Sequence, residues 1–149
     1  MNLIFGEKID GLNYELRKGV YAVIINSTKD KIAVVRTTNG QYFLLGGGIE
    51  NNESHTECLT REALEESGYE VSTGTYIGNS MRYFISSNRE PMISDGYFYL
   101  AQLRNKLQEP IDDDHFLEWI NVNEVEELLF HDHQVWAVKK GLEIPMLKE

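Results

Sequence analysis

The chain has 149 residues, of which 42% are hydrophobic and 26% are charged. These values are typical of one globular domain, so we expect a single domain over residues 1–149 and exclude a disordered chain. The net charge is −10, and no basic run is present that could bind a polyphosphate backbone, which argues against stable nucleic-acid binding. A small phosphorylated substrate is compatible with this charge if a metal ion neutralises an acidic site.

The cysteine content and the N-terminal sequence indicate the compartment. Cys58 is the only cysteine, which excludes an intrachain disulfide. Residues 1–10 contain no basic segment followed by an apolar run, and no apolar stretch reaches about 18 residues. We therefore expect a cytoplasmic protein without membrane association.

Three apolar runs in the first third of the chain are typical of strands. Residues 20–25 and 31–36 are rich in β-branched side chains and flank the polar segment 26–30, so they are predicted to pair. Asn39-Gly40 favours a tight turn before a third strand at 41–45.

A helix is predicted from about Ser54 to Ser67, with Gly68 as its C-terminal cap. Turns are expected at Ser87-Asn88 and Asp95-Gly96. Further strands are predicted at 69–77, 80–85, 97–103 and 116–121, and helices at 122–130 and 133–142. This order of elements predicts an α/β fold, an α/β/α sandwich with a mixed β-sheet.

The spacing of acidic residues in the first helix suggests chemistry. Glu62, Glu65 and Glu66 obey the i, i+3, i+4 rule for a shared helix face. Such close like charges repel unless a cation compensates them. Mg²⁺ prefers oxygen ligands, keeps several waters and is often shared with substrate phosphates. For Glu65-Glu66 alone, a solvated surface face is the alternative interpretation.

The segment GGIENNESHTECLTREALEESGY, residues 47–69, resembles the Nudix box. That pattern is a Gly, five residues, a Glu, seven residues, then Arg-Glu-apolar-any-Glu-Glu-any-Gly-apolar. Tyr69 replaces the usual aliphatic residue at the last position, and Asn51-Asn52 replaces a common Pro-Gly pair. All seven fixed positions match: Gly47, Glu53, Arg61, Glu62, Glu65, Glu66 and Gly68.

The resemblance implies a MutT-like Nudix hydrolase with the Nudix-type sandwich. By resemblance, Mg²⁺ is the expected cofactor, and Mn²⁺ can substitute for it. The expected metal ligands are Glu62, Glu65 and Glu66, and the Gly47 carbonyl completes the site.

The resemblance also implies catalytic roles. Arg61 is expected to orient carboxylates, and the i, i+4 spacing of Glu57, Arg61 and Glu65 permits such pairing. Glu53 is expected near the metal cluster. One of the metal-binding glutamates, such as Glu62 or Glu65, or a loop carboxylate is expected to assist deprotonation of the attacking water.

Residues outside the box supply further candidates. Relatives often use a later loop carboxylate, for which Asp112 or Asp113 is the best candidate and Asp95 a weaker one; a solvated acidic turn is the alternative. Arg36 ends a predicted strand where some relatives bind substrate phosphate, although an exposed strand-end arginine is often only solvated.

The leading functional prediction is a nucleotide pyrophosphohydrolase that cleaves the diphosphate linkage of a nucleoside diphosphate joined to another group, using metal-activated water. The alternatives are a non-catalytic nucleotide-binding or regulatory Nudix domain, and acidic metal buffering. The expected partner is a small nucleotide or nucleotide derivative, and homodimer formation is left open.

Overall fold

A computed structural model describes residues 3–145, which form eight strands and three helices. The strands are β1 (Leu3–Phe5), β2 (Glu15–Ile24), β3 (Lys31–Thr37), β4 (Tyr42–Phe43), β5 (Leu45–Gly48), β6 (Tyr69–Ile85), β7 (Pro91–Lys106) and β8 (His115–Asn121). The helices are α1 (His55–Ser67), α2 (Val125–Leu128) and α3 (Asp132–Glu143), and a 3₁₀ turn at Val122–Glu124 precedes α2.

The strands form one mixed sheet and one smaller antiparallel sheet. The mixed sheet has the order β1-β6-β7-β2-β5, in which β1–β6 and β2–β7 are parallel and the other pairs are antiparallel. The smaller sheet has the order β4-β3-β8. The mixed sheet confirms the fold class predicted from the sequence, and the smaller sheet adds to it.

The mixed sheet is buried between α1 and α3 because β2 carries apolar side chains on both faces. On one face Val20 and Ala22 pack with Leu59 of α1. On the other face Val23 packs with Ala137 of α3. Alternate residues of a strand point to opposite faces, so a continuous apolar run is what a sheet covered on both sides requires.

The predicted pairing of the first two strands is wrong. β2 and β3 lie in different sheets, and a single bridge between Ile25 and Ile32 joins them. The reason is competition for edges, since β5 pairs with one edge of β2 and β7 with the other. β3 therefore continues into the second sheet.

The predicted turn at Asp95-Gly96 is also wrong, because both residues lie inside β7. The Asp95 carboxylate accepts a hydrogen bond of 2.6 Å from Asn79 Nδ2, which satisfies it within the sheet. The strands predicted at 69–77 and 80–85 are one strand, β6, interrupted by bulges.

Other local predictions are confirmed. Gly40 has a φ of 84° in the turn between β3 and β4, and the turn after Ser86 closes through an Arg89 N–H to Ser86 O hydrogen bond of 2.8 Å. A separate finding concerns the helices within residues 3–145, none of which combines the length and the apolar character that a membrane span requires.

Candidate functional site

Helix α1 is fixed at both ends by its own sequence. The Ser54 hydroxyl accepts a hydrogen bond from Glu57 N (3.1 Å), and the Glu57 carboxylate accepts one from Ser54 N (2.9 Å). This reciprocal capping box engages Glu57, so the expected Glu57–Arg61 pairing is not observed. At the other end, Gly68 adopts a φ of 78° and donates to Leu64 O, as predicted for a C-cap.

The loop before α1 is tight although it lacks the Pro-Gly pair. Asn51 and Asn52 have φ values of 48° and 61°, a left-handed conformation that asparagine tolerates better than most residues. The turn closes through Glu53 N to Glu50 O (2.9 Å), and the Glu53 carboxylate accepts from Glu50 N. The loop thereby directs Glu53 towards α1.

Arg61 brings three of the predicted carboxylates together. Its Nε and Nη2 donate to the two oxygens of Glu53 at 2.6 and 2.9 Å. Its Nη1 donates to Glu62 Oε1 (2.9 Å) and Glu65 Oε2 (3.2 Å), and Nη2 also donates to Gly48 O. The guanidinium lowers the pKa of Glu53. This is the geometry expected of a residue that orients carboxylates.

Glu66 lies apart from Arg61 and is only 6% exposed. Its Oε1 accepts from Gly46 N (2.9 Å), and its Oε2 lies 3.8 Å from His115 Nε2. Removal from water raises the pKa of Glu66 well above its usual value, and neighbouring negative charges, chiefly Glu62, add to this. Burial also raises the pKa of Glu62, although Arg61 opposes the rise. A bound cation would stabilise both ionised carboxylates.

The loop after β7 supplies a further carboxylate. Ile111 N and Asp112 N both donate to Glu65 O at 2.9 Å, which ties the loop to the last turn of α1. Asp112 is half-buried, and its charge acts on Glu62 and Glu66, whereas Asp113 is exposed. The position of Asp112 therefore favours it over Asp113 as the later carboxylate, and the role of either residue as a metal ligand stays a prediction.

The donor atoms fit magnesium better than a softer metal. The charged donors of the cluster are carboxylate oxygens, and the buried Cys58 thiol donates to the Gly47 and Gly48 carbonyls at 3.4 and 3.5 Å. A methyl group placed on Gly47 would lie 2.6 Å from Glu62 Oε2, which shows how closely the Gly47 backbone approaches that carboxylate. Within residues 3–145 no group of three or more acidic, histidine or cysteine side chains is arranged so that it could hold a metal ion by itself. Magnesium does not need such a group, because water molecules and substrate phosphates usually fill much of its coordination shell.

Two candidates lie outside this cluster. Arg36 donates to Glu118 Oε1 (2.9 Å), and its guanidinium lies 5.1 Å from the Phe116 ring centroid. It is thus held by neighbours in the smaller sheet, and its contact with substrate stays a prediction. Asp95 is held by Asn79 within the mixed sheet.

Sequence reasoning missed two residues beside the acidic cluster. His115 begins β8 next to Glu66, and Tyr21 of β2 packs against Gly46, where an added methyl group would lie 2.7 Å from the Tyr21 Cα. Neither residue carries a spacing signal, since both reach the cluster through long-range strand pairing. An aromatic residue in a strand is most simply interpreted as core.

The chain is similar to known proteins in its sequence and in its fold. The family model described as NUDIX domain matches residues 15–139. The NAD-capped RNA hydrolase NudC of Vibrio cholerae is 35% identical over 60 residues, so the match spans 40% of this chain and 22% of that protein.

Solved structures share the fold. A NUDIX hydrolase from Nitrosomonas europaea has a TM-score of 0.70 at 18% identity, covering 85% of this chain and 88% of that one. An ADP-ribose pyrophosphatase from Streptococcus suis has a TM-score of 0.63 at 17% identity, covering 89% and 96%. Because the family match covers residues 15–139, which are most of the chain and include the carboxylate cluster, the chain belongs to the Nudix hydrolase family.

Proposed function

We propose that this chain is a nucleotide pyrophosphohydrolase that uses water to cleave the diphosphate linkage of a nucleoside diphosphate joined to another group. The observation that carries the proposal is the carboxylate cluster. Arg61 is the one guanidinium bonded to Glu53, Glu62 and Glu65, while Glu66 is buried beside them without an arginine or lysine partner among residues 3–145. A binding surface for phosphate alone would not concentrate negative charge in this way.

Mg²⁺, with Mn²⁺ as a substitute, is the cofactor that this donor set suits. Glu62, Glu65 and Glu66 would hold it, together with the Gly47 carbonyl and Asp112. When bound, the ion would lower the pKa of a water molecule and withdraw charge from the phosphoryl oxygens.

The protein itself holds the carboxylates of the cluster in position before substrate binds. Arg61 fixes the carboxylates of Glu62 and Glu65, and its paired bonds to Glu53 hold the loop before α1 closed. Glu62 is held by Arg61 Nη1 and lies against the Gly47 backbone, so its carboxylate is one candidate, beside Glu65 and a loop carboxylate, to accept the proton of the attacking water. Positioning and charge neutralisation then supply most of the rate, as is usual in phosphoryl transfer.

The substrate is expected to be small. The net charge of −10 disfavours a long polyphosphate chain. Two of the similar proteins are named an NAD-capped RNA hydrolase and an ADP-ribose pyrophosphatase. Both names refer to nucleotide derivatives, so such compounds are the first to test.

A substrate panel tests the proposal. The purified chain is incubated with nucleoside triphosphates, dinucleoside polyphosphates, nucleotide sugars, ADP-ribose, NAD and NAD-capped RNA, with Mg²⁺ or Mn²⁺. The products are identified by chromatography and ³¹P NMR. We expect cleavage within a diphosphate linkage for at least one compound. Absence of turnover across the panel with both metals would contradict the proposal and favour a non-catalytic binding domain.

A further inference from the structure

A cavity of about 310 Å³ lies on the mixed sheet at the point where helix α3 ends. At Gly141 the helix still packs closely on the sheet, since a methyl group placed there would lie 3.2 Å from Val23 Cγ1 and 3.3 Å from Leu100 Cδ2. α3 ends at Glu143, and Pro145 borders the cavity. The sheet therefore extends further than the helix that covers it, and the cavity occupies the uncovered part.

The lining of this cavity has an apolar part and a polar part. Val23, Ile25 and Leu100 supply apolar side chains, which pack with the hydrophobic cluster between the sheet and α3. Ser72 of β6 and Gln102 of β7, which are partners in the strand register, supply polar side chains. A molecule that fills the cavity therefore needs apolar surface at one end and a polar group at the other.

Arg104 of β7 determines which polar group fits. Among the described residues that line the cavity, it is the only one with a charged side chain. Its Nε donates to Ser72 Oγ (3.0 Å), which fixes the plane of the guanidinium. Its two terminal nitrogens have no hydrogen-bond or ion-pair partner within residues 3–145. These nitrogens match the two oxygens of a carboxylate.

We propose that this cavity is a second ligand site, which binds a small molecule with an apolar body and a single carboxylate. The apolar body would cover Val23, Ile25 and Leu100, and the carboxylate would accept two hydrogen bonds from Arg104. The volume lies at the lower end of the range of about 300–1,000 Å³ that is typical of small-molecule sites, so a medium-length chain suits it.

The lining disfavours other classes of ligand. A cation would be repelled by Arg104, which has no carboxylate partner in the described part of the chain to offset its charge. An inorganic anion such as phosphate would leave the apolar side chains in contact with water. The cavity lies on the α3 side of the sheet and shares no lining residue with the acidic cluster, so this inference is independent of the proposed hydrolysis.

Binding of octanoate to the full chain tests the inference. Octanoate is titrated into ¹⁵N-labelled protein, and its Kd is obtained from the backbone amide signals by NMR. We expect saturable shifts at Gly74 and Gln102, which line the cavity. Arg104→Gln should weaken binding about 10-fold or more, because a paired hydrogen bond between two charged groups is lost. The matched control is Arg17→Gln, which removes an exposed arginine at the other end of β2 and should leave the Kd unchanged.

Octanol separates the contribution of the carboxylate from that of the apolar body. It should bind the wild type more weakly than octanoate does, and it should bind Arg104→Gln and the wild type equally, since the partner of Arg104 is already missing. Inorganic phosphate at the same concentrations should cause no saturable shifts at Gly74 and Gln102.

Three results would overturn the inference. They are the absence of saturable shifts at the cavity, an equal octanoate Kd for Arg104→Gln and the wild type, and octanoate binding confined to the amides of the acidic cluster. Leu147→Ser tests the chain itself as an occupant, because residues 146–149 follow Pro145 and lie outside the described residues. Tighter octanoate binding by Leu147→Ser than by the wild type would assign the cavity to this segment and also overturn the inference. None of these results changes the outcome of the substrate panel.

Discussion

Arg61 neutralises only part of the negative charge around it. One guanidinium contacts Glu53, Glu62 and Glu65, while Glu66 relies on the Gly46 N–H. The planar fork of arginine matters here because it reaches two oxygens of one carboxylate and still has nitrogens for the others. The same fork bonds the Gly48 carbonyl, so the loop and the helix share one anchor.

Arg61→Lys is expected to lower kcat/KM about 10- to 100-fold, because lysine keeps the charge but cannot hold three carboxylates in this geometry. Steady-state kinetics with the best substrate of the panel would measure the effect. Arg104→Lys, at an exposed position on β7, is the matched control and should retain activity. Wild-type activity in both Arg61→Lys and Arg104→Lys would show that the planar guanidinium of Arg61 is not needed.

At the residue level the sequence predicted the box but not all of its surroundings. The shared face of Glu62, Glu65 and Glu66 follows from helix spacing, and their expected role follows from the resemblance to the Nudix box. The distinction between Asp112 and Asp113 does not, because it depends on a backbone hydrogen bond from the loop to Glu65 O. Tyr21 and His115 approach the cluster through strand pairing, which local sequence patterns do not specify.

Helix α1 connects the loop that carries Glu53 with the loop that carries Asp112. Its N-terminus is held by the Ser54–Glu57 capping box, next to the loop that carries Glu53. At its C-terminus, Gly68 O accepts from Leu107 N (2.9 Å) and Gln108 N (3.3 Å), in the loop that carries Asp112. The stability of both helix ends therefore affects the position of the carboxylates.

Gly68→Ala tests the connection between the C-terminus of α1 and the loop at Gln108. The left-handed backbone costs about 1–2 kcal/mol for a residue with a Cβ, and here the Cβ would also overlap the Gln108 carbonyl. Gly11→Ala is the matched control, since Gly11 has a similar φ of 89° and nothing within 4 Å of an added Cβ. In thermal unfolding we expect Gly11→Ala to lower Tm by a few degrees and Gly68→Ala to lower it clearly more. Equal decreases in Tm for the two variants would show that the contact between Gly68 and the loop at Gln108 does not stabilise the fold.

Elements were more predictable than their pairing. The bounds of α1 follow from capping residues and those of α3 from its apolar period, both of which are local. The separation of β2 and β3 into two sheets could not be predicted, because β5 and β7 compete for the edges of β2 from positions distant in sequence.

In the molecule as a whole, α3 brings two histidines against the mixed sheet. Burial lowers the pKa of His133 to about 3 and that of His131 to about 4, and the nearby Arg82 contributes to both shifts. Their folded-state values lie below the usual 6.5, so below pH 6.5 these two histidines bind more protons in the unfolded chain than in the folded one. Their contribution to the free energy of unfolding therefore falls as the pH is lowered from about 6.5 towards 4.

This pH effect is measurable by denaturant unfolding between pH 7 and pH 4. Each proton taken up on unfolding contributes about 1.4 kcal/mol per pH unit. The raised pKa values of Glu62 and Glu66 act in the opposite direction, so the comparison uses His133→Gln, in which the carboxylates are unchanged. We expect a smaller loss of stability on acidification in His133→Gln than in the wild type. If the free energy of unfolding changed with pH by the same amount in His133→Gln and in the wild type, His133 would not be buried in its neutral form.

The most direct test of the central claim compares two charge-neutralising substitutions on α1. Glu65→Gln removes a proposed metal ligand, whereas Glu57→Gln removes one charge from the same helix and retains a residue suited to the capping box. Hydrolysis of the best panel substrate is measured with Mg²⁺ and with EDTA. The account predicts metal-dependent turnover that Glu57→Gln retains and Glu65→Gln largely loses, at similar melting temperatures. Unchanged turnover in Glu65→Gln, or full turnover in EDTA, would contradict it.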